Sequence, residues 1–148
     1  MIEDTKCFHS FMSDVSIIVR LLRTNAERSM AHLNIGFPEQ MVLMVLSSGK
    51  PMIQNDIAQI LGVDKGAIAR TITKLEEKGY ISRCSNPDNR RENKVQITPK
   101  CDAMMEEMRE NLLKVQERAF DGFSNEERQT IENDIHRLAA NLNSLNED

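Results

Sequence analysis

The sequence predicts a mainly α-helical fold with one small β-hairpin near its centre and long helices on either side. Three observations carry this. Apolar residues recur at three- and four-residue steps over both ends of the chain, the period of an amphipathic helix. Two short helical segments at the centre meet at Gly62, as two helices joined by a tight turn do. Directly after them, two runs of alternating character flank a polar stretch with a proline, which reads as a hairpin.

Phe8, Phe11, Val15, Ile18, Leu22, Ala26 and Leu33 line one face of the first helix, which Gly36 is expected to end. Pro38 sits where the first turn of a helix tolerates proline. The segment Pro38–Leu46 (PEQMVLMVL) is apolar on most sides, so this helix should be central and buried. Ser47–Lys50 and Pro51 break it. Gln54–Leu61 follows, expected to bury Ile57, Ala58, Ile60 and Leu61, with Gly62 supplying a positive φ and Val63 plugging the corner. Asp64 is a good N-cap, its side chain placed to accept from the free amides of the next helix. That helix runs to Lys78, buries Ile68, Ile72 and Leu75, and stops at Gly79.

Tyr80–Cys84 and Asn93–Thr98 form the hairpin, with Val95 and Ile97 on one face and SNPDNRRE at the tip. A helix-turn-helix followed by a hairpin is a winged helix. Pro99 then opens a second long helix, striped by Cys101, Met105, Met108, Leu112, Val115, Ala119 and Phe123. Ser124 with Glu127 makes a capping box for the last helix, whose stripe is Ile131, Ile135, Leu138, Leu142 and Leu145. The organisation expected is therefore a helix at residues 1–36, a winged helix-turn-helix at 37–99 and two helices at 100–148.

Composition narrows the function classes. The 148 residues are 40% hydrophobic and 28% charged, enough for a core and a soluble surface. No apolar run reaches the roughly 18 residues of a membrane span, and Glu3 and Asp4 argue against a signal peptide. Three cysteines cannot all pair within one chain, so a reducing, cytoplasmic setting is expected. The net charge of −4 hides an asymmetry. Residues 50–100 hold ten Lys/Arg against six Asp/Glu, whereas residues 101–148 hold five against twelve. A basic centre between acidic ends is what a localised phosphate-binding surface produces, and a solvated patch without a partner produces it too.

The stretch DKGAIARTITKLEEKGYISR carries the chemistry. Opposite its core face lie Gly66, Ala67, Arg70, Thr71 and Lys74, small in front and cationic behind. A helix that enters the major groove of double-stranded DNA, ~12 Å wide, needs a slender leading turn. Arg70 can fork onto a guanine edge and Thr71 can touch a thymine methyl or a base edge. Lys65 and Lys74 can reach phosphates. At the hairpin tip, Asp88 can hold Arg90 or the loop itself. Arg90 beside Arg91 can then enter a minor groove, where narrow A·T-rich DNA concentrates negative potential. A small solvated helix face and a charged hairpin tip are the bland alternatives.

The order of elements resembles the MarR-type winged-helix regulators over essentially the whole chain. FPEQMVLMVL, QNDIAQILGVDKGAIARTITKLEEKGYISR and NPDNRRENKVQIT carry the likeness, with Gln40, the LEEKGYISR run and the Asp88–Arg90 pair standing where the family has them. The resemblance implies a homodimeric, DNA-binding transcription factor, often a repressor released by small aromatic or phenolic compounds. It also implies a dimer interface made by the first and last two helices. Cys101 departs from the family, where many members have Gly. Asn89 departs too, in place of a residue often charged.

Long apolar stripes that a small winged helix cannot cover point the same way, to a two-fold dimer on a near-palindromic operator, the alternative being that these helices pack on each other within one chain. Cys7 lies at the start of the first helix, where some relatives sense peroxide through a cysteine. His9 is near it, but the sole tyrosine, Tyr80, is far along the chain, and an inert cysteine is the alternative. His9, His32 and His136 show no metal-ligand spacing. No phosphate loop, nucleophile elbow or carboxylate pair suggests an enzyme, and no cofactor is expected. The rival reading is a winged helix that docks another protein.

Overall fold

The computed structural model describes residues 2–89 and 91–145. These fall into two compact units that divide between Leu112 and Leu113. In the first, helix α1 (Ile2–Ser29) is followed by a short 3-10 turn (Ala31–Leu33) and α2 (Phe37–Leu46). Strand β1 (Met52–Ile53) leads into α3 (Gln54–Leu61) and α4 (Lys65–Glu77). Strands β2 (Ile81–Ser85) and β3 (Asn93–Ile97), a 3-10 turn (Pro99–Cys101) and α5 (Asp102–Ala119) come next. Helix α6 (Asn125–Ser144) lies in the second unit.

The first helix stops sooner than its apolar pattern suggested. Asn34, not Gly36, takes the left-handed conformation, at φ 54°. Asparagine tolerates that region because its short polar side chain bonds locally. Gly36 has an ordinary φ of −83° and instead caps α2, where its N–H donates to Glu39 Oε2 at 2.8 Å. Helix α2 is the centre of the unit, with Val42, Leu43 and Leu46 wholly buried. Gln40 is buried among them because its amide donates to the Ala26 carbonyl at 2.7 Å and to the Ile35 carbonyl. A buried amide without such partners would be costly.

Around α2 the core gathers Met30, Ile35, Ile57, Ala58, Ile68, Ile72, Leu75, Ile81, Val95, Cys101, Met104 and Met108. Two expectations fail at the α3 corner. Ile60 is 59% exposed and Val63 is 44% exposed, because Ile57 and Ala58 already fill the inward side of this short helix. Gly62 does turn the chain, at φ 61°, and its neighbour's N–H returns to the Ala58 carbonyl at 3.0 Å.

The sheet has three strands in the order β1-β3-β2, all antiparallel. β2 and β3 are the expected hairpin, in the register Ile81↔Ile97, Arg83↔Val95 and Ser85↔Asn93. β1 was not expected: two residues after a proline carry no alternation to read, and only pairing with Val95 and Lys94 defines them. The long helix after Pro99 begins as a 3-10 turn, and its core side is Cys101, Met104 and Met108. Cys101 and Met108 are buried as expected, Met104 joins them, Met105 is only half-buried against the core, and Leu112 is exposed.

In the second unit α5 ends at Ala119, and Phe123 lies beyond it in a turn where Gly122 has φ 82°. Phe120 and Phe123 meet edge to face at 5.9 Å. The capping box of α6 is formed: Ser124 Oγ accepts from the Glu127 N–H at 3.1 Å, and Glu127 Oε2 accepts from the Ser124 N–H at 2.7 Å. No described residue of α6 is buried, and Ile135, Leu138, Leu142 and Leu145 are 44–68% exposed. Helix α1 likewise leaves Phe8, Phe11, Ile18 and Val19 uncovered. Among the described residues, no helix is long and apolar enough to cross a membrane.

Candidate nucleic-acid interface

Helix α4 is set by its two ends and one face. Asp64 caps the start, its Oδ2 accepting from the Ala67 N–H at 3.0 Å. Gly79, at φ 76°, closes the end, where the Tyr80 N–H returns to the Leu75 carbonyl at 2.9 Å. Between them Ile68, Ile72 and Leu75 are buried, each worth roughly 1.5–3 kcal/mol of burial. This inward stripe forces the opposite face outward. Lys65, Gly66, Arg70 and Lys74 are exposed there, with Ala67 and Thr71 half-buried beside them. Among the described residues, Lys65, Arg70 and Lys74 form no ion pair; Arg70 and Lys74 stand open along one side of the helix, and Lys65 at its start borders the other.

Two details refine the expected roles. The Thr71 hydroxyl donates to the Ala67 carbonyl at 3.0 Å, so its proton is spent within the helix. Its methyl group and oxygen lone pairs remain for an outside partner. Gly66 is bare for a local reason as well as for access. A Cβ there would lie 2.9 Å from Asp64 Oδ2 and 3.5 Å from Arg70 Nη1. The helix cap needs that gap, while the arginine end would meet a Cβ only in ordinary contact.

The hairpin tip is shaped by asparagines. Asn86, 6% exposed, accepts from the Asp88 N–H at 3.2 Å, and Asn89 accepts from the Arg91 N–H at 3.1 Å. These two turns shape the described part of the loop. Arg91 is exposed at this tip, and Arg90 lies outside the described residues. Farther down, Arg83 on β2 pairs with Glu76 on α4 at 3.1 Å and so ties the wing to the helix.

Two hollows flank α4. An apolar groove of about 400 Å³ runs between Phe37, Pro38 and Met41 at the start of α2 and Ala67, Arg70, Thr71 and Lys74 on α4. Leu61 and Val63 also line it. The second, about 410 Å³, is polar and lined by Gln54, Asn55, Lys65, Glu92 and Asn93. Sequence reasoning missed Gln54, Asn55 and Asn93. Their signal is faint, being two polar residues at a helix start and one at a strand start.

The cysteines are apart in character. Cys7 is exposed on α1, Cys84 is half-buried on β2, and Cys101 is buried with its thiol donating to the Tyr80 carbonyl at 2.8 Å. Burial pushes the Cys101 thiol above its ordinary pKa. Among the described residues, no three His, Cys, Asp or Glu side chains gather as a metal site.

Residues 38–93 match the sequence model of the MarR family. The chain is 25% identical over 134 residues to the uncharacterized HTH-type transcriptional regulator YybA of Bacillus subtilis strain 168, covering 90% of this chain and 89% of that one. It superposes on a crystal structure of MarR with a TM-score of 0.74 and 29% identity, over 89% of this chain and 96% of the other. A mutant MarR from E. coli, complexed with operator DNA, shares the fold at a TM-score of 0.76 and 18% identity, over 87% and 93% of the two chains. The chain thus carries a MarR-family domain, within the winged helix-turn-helix fold of that family's transcription regulators.

Proposed function

We propose that the chain is a sequence-specific regulator of transcription that binds double-stranded operator DNA as a homodimer. The single observation that carries this reading is the outer face of α4: open Arg70 and Lys74 behind a leading turn kept slender by Gly66 and Ala67, with Lys65 open at the helix start. Arg70 reads a base edge, the Thr71 methyl packs against a base, and Lys65 and Lys74 hold phosphates. Arg91 on the wing adds a further phosphate or minor-groove contact, as Arg90 beside Asp88 is expected to from the sequence. The E. coli MarR structure with operator DNA supports the assignment by its shared fold.

A second copy covers the apolar residues left open on α1 and α6. Two recognition helices then face half-sites about one helical turn apart, ~34–36 Å, on a near-palindromic operator. The regulator works as a cytoplasmic repressor, released by a small aromatic or phenolic ligand. The groove beside α4 supports that last part, because a flat apolar acid lying in it would meet Arg70 and Lys74 and compete with DNA for them.

Selection of bound fragments from random duplex DNA, followed by titrations at several salt concentrations, tests the reading. The Arg70→Ala variant should relax base preference at one position per half-site. Lys74→Ala should weaken all sequences alike and shallow the salt slope by about one. Weak binding that is flat with salt would favour a protein-docking module instead. Repeating the titration with phenolic acids and with peroxide separates ligand release from oxidation at Cys7.

A further inference from the structure

The apolar contacts of Ile68, Ile72 and Leu75 hold α4 against the core, but apolar contact is not directional. A polar contact with α2 and the turn before it lies at the far end of the helix. Lys78, the residue that caps α4, places its Nζ 2.5 Å from Glu39 Oε1 and 2.5 Å from the Asn34 carbonyl. The Glu39 carboxylate is 10% exposed, and its other oxygen accepts from the Gly36 N–H at 2.8 Å. The Lys78 carbonyl in turn accepts from Lys100 Nζ at 2.6 Å. Next to Glu39, Gln40 donates to the Ala26 carbonyl on α1 at 2.7 Å. Two neighbouring residues of α2 therefore hold opposite things, Gln40 the first helix and Glu39 the end of the recognition helix.

We infer that Glu39 and Lys78 are positioning residues for DNA recognition, a clasp that relates the direction of α4 to α1. The inference rests on the reading of α4 as the DNA-contacting helix. A 13-residue helix is roughly 20 Å long, so a tilt of about 5° carries its tip on the order of 1–2 Å. Base contacts demand a geometry held within about 0.5 Å. Phosphate contacts made by flexible lysines absorb such a shift. Loss of the clasp therefore costs specific binding and spares non-specific binding.

The test uses the full chain and the duplex selected above. Glu39→Gln removes the charge and keeps the shape. Lys78→Met removes both bonds from the ammonium, at the risk of stranding a buried carboxylate. The double replacement strands no charge and carries the test if Lys78→Met alone does not fold. Each folded variant should lose roughly five- to tenfold in operator affinity, with the double no worse than the stronger single. Affinity for unrelated duplex and the salt slope should stay as in the wild type. A lowered melting temperature with unchanged operator affinity would reduce the clasp to a structural role and overturn the inference. So would a shallower salt slope in Lys78→Met, which would make Lys78 a phosphate contact. If the wild-type chain binds no duplex at all, the DNA-binding reading falls first and the clasp goes with it.

Discussion

Replacement of Gly66 by alanine separates two reasons for a bare helix start. The new Cβ would sit 2.9 Å from Asp64 Oδ2, closer than carbon and oxygen rest, so the carboxylate must swing off the Ala67 N–H. Losing an N-cap costs about 1 kcal/mol. Alanine for glycine in a helix returns up to about 1 kcal/mol. The two nearly cancel, and Gly66→Ala by itself should leave stability almost unchanged. In an Asp64→Ala background the cap is already gone, and the same replacement then meets only the movable end of Arg70. There it should stabilise by about 0.5–1 kcal/mol. The expected coupling is thus about 1 kcal/mol between two residues in contact. Near 150 residues this is about 2–4 °C in Tm, within reach of thermal unfolding at fixed protein concentration. Equal gains from Gly66→Ala in both backgrounds would refute the reasoning. Operator affinity should fall in Gly66→Ala even where Tm does not, because a methyl on the leading turn holds the helix back from the groove.

Three other outcomes are expected. Ile18 and Leu142 are 54% and 62% exposed in the single chain, so Ile18→Glu or Leu142→Glu costs a lone subunit little, within about 0.5 kcal/mol. A dimer would have to bury the new carboxylate, so sedimentation should show a dimer for the wild type and monomers for both variants. A wild-type monomer at micromolar concentration contradicts the assembly. Under native conditions iodoacetamide should label Cys7 first and Cys84 more slowly. Cys101 should be spared until the chain unfolds, since burial holds its thiol protonated. Peptide mapping that finds Cys101 and Cys7 modified at equal rates would disprove this. The Glu127 carboxyl lies below its ordinary pKa of 4.5, chiefly because it accepts from the Ser124 backbone N–H. Folding therefore favours its ionised form, whose contribution is complete above 4.5 and fades as pH falls through the lower folded value. Melting curves of wild type and Glu127→Gln should converge as the pH drops below that window, and a constant gap would speak against the cap's charge.

Much of this molecule could be read from neighbours along the chain. The bounds of α3, the Asp64 cap, the inward triad of α4, the hairpin strands and the Ser124 box all follow from local rules. Periodicity, capping chemistry and the needs of a tight turn act over a few residues, and they are written into consecutive positions. The exposed face of α4 was legible for the same reason, since an inward stripe leaves its complement outside. What tertiary structure decided depends on which distant segment lies alongside. Strand β1 exists because Val95 and Lys94 pair with it. Ile60 and Val63 stay exposed because Ile57 and Ala58 already fill the inward side of α3. Glu39 and Gln40, polar residues in an apolar run, are buried because Lys78 and Ala26 meet them from elsewhere in the chain. A side chain's periodicity reports which way it points, but only the packed chain supplies the partner that lets a charge or an amide leave water.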